Sequence, residues 1–197
     1  MIIQAEKTYT PEEYLEREIN SKERHEYING EIIPMTGGTP NHNKTTGNLY
    51  AALNFALKRQ PYQVFVTDQR LWIPQKHIYT YPDIMVVQGD LQFQEGRKDT
   101  ITNPLIIAEV LSISTRNYDK DEKFAAYRTI PSFQEYLLID QYTTHIEQYF
   151  KTDDKRWTFT EYDGIDETVT LNSITFQITL EDLYDKVEFE TIEMDNE

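Results

Sequence analysis

Two apolar runs in the middle of the chain each predict a buried strand, and a predicted helix follows them. The runs are I-M-V-V after Pro82-Asp83 and L-I-I-A-E-V-L after Pro104. The next segment, D-K-D-E-K-F-A-A-Y-R, has a helical composition and ends before Pro131. A crossover then leads to the apolar run E-Y-L-L-I-D. This order predicts an α/β fold with a mixed β-sheet flanked by helices.

The segments on either side predict further elements. Thr10-Pro11-Glu12-Glu13 is a capping box that begins a short helix, and Asn29-Gly30 separates two alternating runs that predict a β-hairpin. A helix is expected from about residue 43 to residue 59. The runs Y-Q-V-F-V and R-L-W-I predict an antiparallel meander with the strand after Pro82. Three alternating runs after residue 142 predict an antiparallel C-terminal strand extension.

Composition constrains the number of domains and the cellular compartment that we predict. The 197 residues are 39% hydrophobic, which is enough for one core, and the absence of cysteine excludes disulfides and thiolate zinc sites. We expect a single domain over residues 1–197, with a core at about 10–141 and a strand extension and acidic tail at about 142–197. The sequence has no basic leader and no apolar run of about 20 residues, so we expect a cytoplasmic protein without a membrane span.

The net charge of −15 disfavours tight non-specific binding of nucleic acid, because affinity for phosphates comes largely from Lys and Arg. This charge is unevenly distributed along the chain. Residues 151–197 carry 14 acidic and 4 basic side chains, so the part before them is only mildly acidic. Even that part shows no broad basic patch.

Two carboxylates in the predicted strands are the main candidates for chemistry. Glu109 lies inside its apolar run, and Asp83 lies at the start of the neighbouring one. Buried carboxylates are costly unless they are paired or bind a metal, and adjacent ones repel each other until a cation or a proton intervenes. Oxygen ligands without cysteine favour Mg²⁺ or Mn²⁺. Lys123, on the following helix, is then suited to neutralise charge on a phosphate.

At these residues the sequence resembles the PD-(D/E)xK nuclease superfamily, and within it the Uma-type family of restriction-endonuclease-like proteins. Pro82-Asp83 matches the P-D of the motif. Glu109 matches the acidic residue of its acidic-x-Lys triplet, but Leu111 stands where the lysine is usual. The Uma-type pattern carries its lysine on the following helix, where Lys123 fits. The resemblance extends over about residues 14–141.

The resemblance implies a restriction-endonuclease-like core and a metal-dependent endonuclease that hydrolyses phosphodiester bonds of DNA. Asp83, Glu109 and the Val110 carbonyl would hold Mg²⁺ or Mn²⁺, and Lys123 would help to position the attacking water. Glu31 matches an acidic residue in the family's G-E and is a candidate auxiliary catalytic ligand. A solvent-facing hairpin carboxylate is the other interpretation of Glu31.

Four further residues are candidates for contacts with the substrate. His42 matches the family's P-x-H near a helix start, where phosphate binding is favoured, although a cap or surface role is the commoner one. Arg70 is a candidate for contact with DNA phosphate or with Asp83, and a structural ion pair explains it nearly as well. Arg97 and Lys98 form the basic pair nearest to the proposed site, unless they are a solvated charge cluster.

Other interpretations stay open at this point. A catalytically silent nuclease fold that serves as a binding or assembly module is favoured by the overall acidity and by Leu111. Without the resemblance, Lys123 is an ordinary surface lysine paired with Asp119. Glycoside hydrolysis by paired carboxylates gives Lys123 no role. For cleavage of duplex DNA a homodimer is expected, because a C₂ pair matches the dyad of DNA, and the edge of the C-terminal strands is its candidate surface.

Overall fold

The computed structural model describes residues 8–113 and 116–189. Its helical segments are α1 (Pro11–Asn20), α2 (Pro40–Ala56), α3 (116–127) and α4 (Leu180–Leu183), with a 3₁₀ turn at Pro74–Lys76. Its strands are β1 (His25–Ile28), β2 (Glu31–Pro34), β3 (Tyr62–Val66), β4 (Arg70–Ile73), β5 (Ile78–Thr80), β6 (Ile84–Gln88), β7 (Thr100–Ile101), β8 (Ile106–Leu111), β9 (Glu135–Asp140), β10 (Ile146–Asp153), β11 (Arg156–Tyr162), β12 (Thr168–Leu171) and β13 (Phe176–Thr179).

A six-stranded sheet in the order β11-β10-β9-β8-β6-β3 carries the core of the fold. Strands β8 and β9 are parallel and are joined through α3, whereas the other neighbours in this sheet are antiparallel. One face packs on α2, α4 and the β12–β13 hairpin, and the other packs on α3 and the second sheet. The predicted mixed sheet flanked by helices is therefore confirmed.

The second sheet has the order β2-β1-β5-β4-β7 and corrects the predicted meander. Strand β3 pairs with β6, but β4 leaves that sheet and pairs with β5 and β7. The chain turns between β3 and β4 at Thr67, which has a φ of 50°, and this left-handed residue directs β4 into the other sheet. Local alternation gives no information on which partner a strand chooses.

Two local signals near the N-terminus are confirmed. Thr10 caps α1, accepting a hydrogen bond from the Glu13 amide while the Glu13 side chain accepts one from the Thr10 amide. The β1–β2 hairpin turns at Asn29 and Gly30, whose φ values of 48° and 102° suit this pair of residues. Helix α2 begins at Pro40, which is three residues earlier than expected, with Thr39 as its cap.

The C-terminal extension is antiparallel but is divided between two sheets. Strands β10 and β11 extend the central sheet, as predicted. Strand β12 instead pairs with β13 in a separate two-stranded sheet. Buried Glu135 fixes the turn between these two strands by accepting hydrogen bonds from the amides of Asn172 and Ser173. In the part of the chain described, no helix is both long and apolar enough to cross a membrane.

Helix α3 is continuous but irregular. A π-helical turn, Asp119–Lys123, lies between the α-helical segments Arg116–Tyr118 and Phe124–Tyr127. The Tyr136 hydroxyl donates a hydrogen bond to the backbone carbonyl of Asp119 at 3.1 Å, so this carbonyl is satisfied from outside the helix. Such π turns are frequent at functional sites.

Candidate functional site

The register of β6 against β8 brings Asp83 and Glu109 together. Ile84 is paired with Ala108, so the next residues outward, Asp83 and Glu109, face each other across two antiparallel strands. Each carboxylate accepts a hydrogen bond from the other strand. Asp83 Oδ2 lies 2.8 Å from the Val110 amide nitrogen, and Glu109 Oε2 lies 3.3 Å from the Asp83 amide nitrogen. The two predicted metal ligands therefore belong to one constellation.

Lys123 points inward from the π turn of α3 and lies among carboxylates. Its Nζ is 3.4 Å from Glu109 Oε1, 3.4 Å from Glu26 Oε1 and 3.0 Å from Asp119 Oδ1, and the side chain is only 9% exposed. Burial alone would lower the pKa of Lys123, but Glu109 and Glu26 outweigh it and raise this pKa well above its usual range. Lys123 is therefore a buried cation rather than a surface lysine, although the expected contact with Asp119 is also present.

Glu109 is contacted by Tyr127 and Lys123, and it lies in a cluster in which carboxylates outnumber basic side chains. Its Oε1 accepts a hydrogen bond from the Tyr127 hydroxyl at 2.7 Å, one helical turn beyond Lys123. Burial raises the pKa of Glu109 to about 8, with Lys123 acting against this rise and Asp83 adding to it. Glu109 and Lys123 therefore titrate as a coupled pair, in which burial and Asp83 favour the protonated form of Glu109 and Lys123 favours its ionised form.

Asp83 is oriented by His42 from the first turn of α2. His42 Nε2 lies 3.2 Å from Asp83 Oδ2, and the ring is mostly buried. Burial alone would lower the pKa of His42, but the Asp83 carboxylate more than compensates and raises it. His42 thus contacts the acidic cluster directly, in addition to lying near a helix start.

The fourth carboxylate of the cluster comes from β1 and was not among the sequence candidates. Glu26 accepts a hydrogen bond from Thr80 and contacts Lys123. Glu31, the candidate from the same hairpin, is exposed and does not line the cavity at this cluster. Glu26 reaches the site because β1 pairs with β5, and this long-range pairing leaves no trace in the local H-E-Y-I pattern.

The cluster lines a half-open cavity of about 190 Å³. Its polar wall contains Glu26, His42, Asp83, Glu109, Asp119 and Lys123. Val110, Tyr81 and the segment from Pro34 to Gly38 also line it. A cavity of this kind admits a metal ion with one group of a substrate.

Comparison with known proteins identifies the family of this chain. The family model Uma2, described as "Putative restriction endonuclease", matches residues 11–181. The chain belongs to the Uma2 family. It is 45% identical to the uncharacterized protein sll1609 of Synechocystis sp. over 83% of this chain and 93% of that one, and 34% identical to slr1290 of the same organism over 89% and 90%.

A solved structure supports the fold. The "putative nuclease belonging to DUF820" from Anabaena variabilis superposes with a TM-score of 0.73 at 20% identity, covering 89% of this chain and 97% of that one. The restriction-endonuclease-like fold expected for this Uma2 member is thereby confirmed, and membership of the family supports a nuclease-like function.

The remaining basic candidates of this Uma2 protein lie away from the cavity wall. Arg70 is buried and bonds Asp99 at 2.8 Å and Thr100 at 3.1 Å, so the contact with Asp83 considered above is replaced by a structural ion pair. Arg97 bonds the same Asp99 at 2.6 Å. Lys98 is exposed. The shared carboxylate ties both arginines to the end of β7 and lowers their availability for a phosphate.

A second group of possible metal ligands lies on β10 and β11. Ligand atoms of His145, Glu147 and Glu161 lie within 4.8 Å of one another. Lys120 already pairs with Glu147, and Asp163 Oδ1 lies 2.6 Å from His145 Nδ1. These contacts account for the position of the group without a metal ion.

Gly38 leaves the space that His42 occupies, which gives a prediction. A Cβ at residue 38 would lie 2.7 Å from His42 Nδ1, whereas a Cβ at Gly37 would meet nothing within 4 Å. Gly38→Ala is therefore expected to push the ring away from Asp83 and to lower the pKa of His42, as measured by NMR titration. Gly37→Ala is the matched control and should leave that pKa unchanged. An unchanged pKa in Gly38→Ala would show that the loop, rather than His42, moves.

Proposed function

We propose that this protein is a metal-dependent nuclease that hydrolyses phosphodiester bonds, with DNA as its substrate. The observation that carries the proposal is the position of Lys123, whose ammonium lies beside Glu109 although it comes from a different element. A lysine next to a buried strand carboxylate is the arrangement that the E-x-K triplet supplies on one strand. Here α3 supplies it in place of Leu111.

The charges and donor types of the cavity fit a divalent cation. Four carboxylates, from Glu26, Asp83, Glu109 and Asp119, face Lys123 and His42. The acidic excess is compatible with two added positive charges, and oxygen ligands suit Mg²⁺ or Mn²⁺. We propose Asp83, Glu109 and the Val110 carbonyl as the ligands.

The residues of the chain have separate tasks in this proposal. When bound, the ion supplies Lewis acidity toward a phosphoryl oxygen. Lys123 donates hydrogen bonds to water or to a phosphate oxygen and stabilises the negative charge that develops there. Tyr127 holds Glu109 and His42 holds Asp83 through the contacts described above, so both carboxylates keep their orientation when a substrate enters.

The silent-module function remains the second candidate, because two observations favour it. Arg70 and Arg97 are committed to Asp99, and the net charge is −15, so phosphate contacts are few. A module of this kind would keep the buried ion pairs of Lys123 for stability alone.

A cleavage assay separates the two functions. Pure protein is incubated with supercoiled plasmid, single-stranded DNA and RNA, each with Mg²⁺, with Mn²⁺ or with EDTA. We expect metal-dependent nicking of DNA. Intact substrates under every metal condition, at protein concentrations where binding is measurable, would favour the silent module.

The raised pKa of Glu109 gives a prediction for metal binding. A protonated Glu109 must lose its proton to become a ligand, so Mn²⁺ affinity is expected to rise with pH and to level off above a pH of about 8. Below that pH the Mn²⁺ affinity should rise by about tenfold per pH unit, which corresponds to the release of one proton on binding. Calorimetry in two buffers of different ionisation enthalpy counts the proton. An affinity independent of pH between 6 and 8 would exclude Glu109 as the titrating ligand.

A further inference from the structure

Helix α2 presents an apolar face to solvent. Phe55 is 82% exposed, which is the highest value among the large hydrophobic side chains in the described part of the chain. Gly47, Ala51 and Ala56 are exposed beside it, whereas Leu53 packs into the core. Scattered apolar residues are ordinary on a surface, but an exposed phenylalanine among small side chains leaves room for a close partner.

Two grooves of opposite charge flank Phe55. The basic groove has a volume of about 620 Å³ and includes Lys58 and Arg59. The acidic groove has a volume of about 520 Å³ and includes Asp182 and Asp185. Neither Lys58 nor Arg59 makes an ion pair with any residue in 8–113 or 116–189. Phe55 and Ala51 line both grooves.

We propose that a second copy of this chain covers this face, with the two α2 helices packed antiparallel about a twofold axis. A C₂ contact requires a self-complementary patch, in which the basic groove of each copy meets the acidic groove of the other. With the axis at about the level of Leu53, Lys58 lies opposite Asn48 of the second copy. The Asn48 amide donates a hydrogen bond to the Asp185 carbonyl at 3.0 Å, so this register brings Lys58 to the acidic groove.

The same register places Phe55 opposite a small residue of the second copy. Its level on α2 then corresponds to Ala51 of the second copy, and Ala51 is both small and exposed. The aromatic ring is thereby buried against the groove floor, where apolar contact stabilises the dimer. The edge of the C-terminal strands is the less suitable surface, because β11 exposes mainly polar side chains around Phe159.

Light scattering and sedimentation on the full chain test this surface. The wild type is expected at twice the chain mass at micromolar concentration. Phe55→Glu should raise the dimer dissociation constant at least about 30-fold, as expected for a central hot-spot residue. Phe159→Glu, an exposed phenylalanine elsewhere, should leave it unchanged. A monomeric wild type, or a dimer lost through Phe159→Glu and kept by Phe55→Glu, would overturn the proposal.

An exchange of charges between two variants provides a second test, in which both variants are expected to stay folded. Lys58→Glu and Asp185→Lys each place like charges in both halves of the dimer and should weaken self-association. When the two variants are mixed, both halves regain opposite charges, so a heterodimer should form with near wild-type affinity. A mixture as monomeric as its components would overturn the antiparallel register.

Discussion

Asp83→Asn is expected to abolish both Mn²⁺ binding and phosphodiester cleavage while the protein stays folded. Asparagine keeps an oxygen that can accept the hydrogen bond from the Val110 amide, so the strand contact at 2.8 Å survives, but it removes the charge that the cation needs. Loss of a group that only orients a ligand costs about 10- to 100-fold in metal affinity. Loss of a ligand itself should therefore exceed about 100-fold.

Calorimetry with Mn²⁺ measures this effect directly. Glu31→Gln is the control, because Glu31 is an exposed carboxylate outside the cavity and its neutralisation should leave the affinity unchanged. If Asp83→Asn binds Mn²⁺ as the wild type does, the ion belongs elsewhere, and the group on β10 and β11 becomes the first place to examine.

Lys123→Met is expected to lose cleavage and, in addition, to lose stability. The sequence alone suggests a surface-type change of about 0.5 kcal/mol. Because Lys123 is buried against Glu26, Glu109 and Asp119, its removal leaves carboxylates without their cation. Removing one partner of a buried ion pair lowers the free energy of unfolding by about 3–5 kcal/mol. Loss of one electrostatic donor lowers catalytic rates by about 10²- to 10³-fold.

Urea unfolding of metal-free protein measures the stability of the Lys123→Met variant. The loss should be smaller at pH 5 than at pH 8, since carboxylates that hold a proton no longer need Lys123; burial already raises the pKa of Glu109 to about 8. Lys98→Met, at an exposed lysine outside the cavity, is the control and should change the stability by at most about 0.5 kcal/mol. Equal losses in the two variants would contradict a special role for Lys123.

The order of functional residues could be predicted from the sequence because each lies on a strongly patterned element. The apolar runs of β6 and β8 predict the strands that carry Asp83 and Glu109, and helical composition predicts the helix of Lys123 after them. That β6 and β8 are neighbours is shown by their pairing in the structure. Lys123 lies at the end of a π turn, which composition does not indicate.

What the sequence could not provide was pairing between distant segments. Glu26 joins the site because β1 pairs with β5, and Arg70 is bound to Asp99 because β4 pairs with β7. Two strands with the same alternation can belong to either sheet, so local periodicity leaves their partners undetermined. Glu31 and Arg70 were chosen by motif and charge, and these criteria do not include the partner strand.

The central claim is that Asp83, Glu109 and Lys123 act together in metal-dependent cleavage of DNA. The most direct measurement is the nicking rate of supercoiled plasmid in Mn²⁺ for the wild type, Glu109→Gln and Glu31→Gln, prepared identically. We expect cleavage by the wild type and by Glu31→Gln, and a loss of at least about 10²-fold in Glu109→Gln. Nicking by Glu109→Gln at the wild-type rate would contradict the claim.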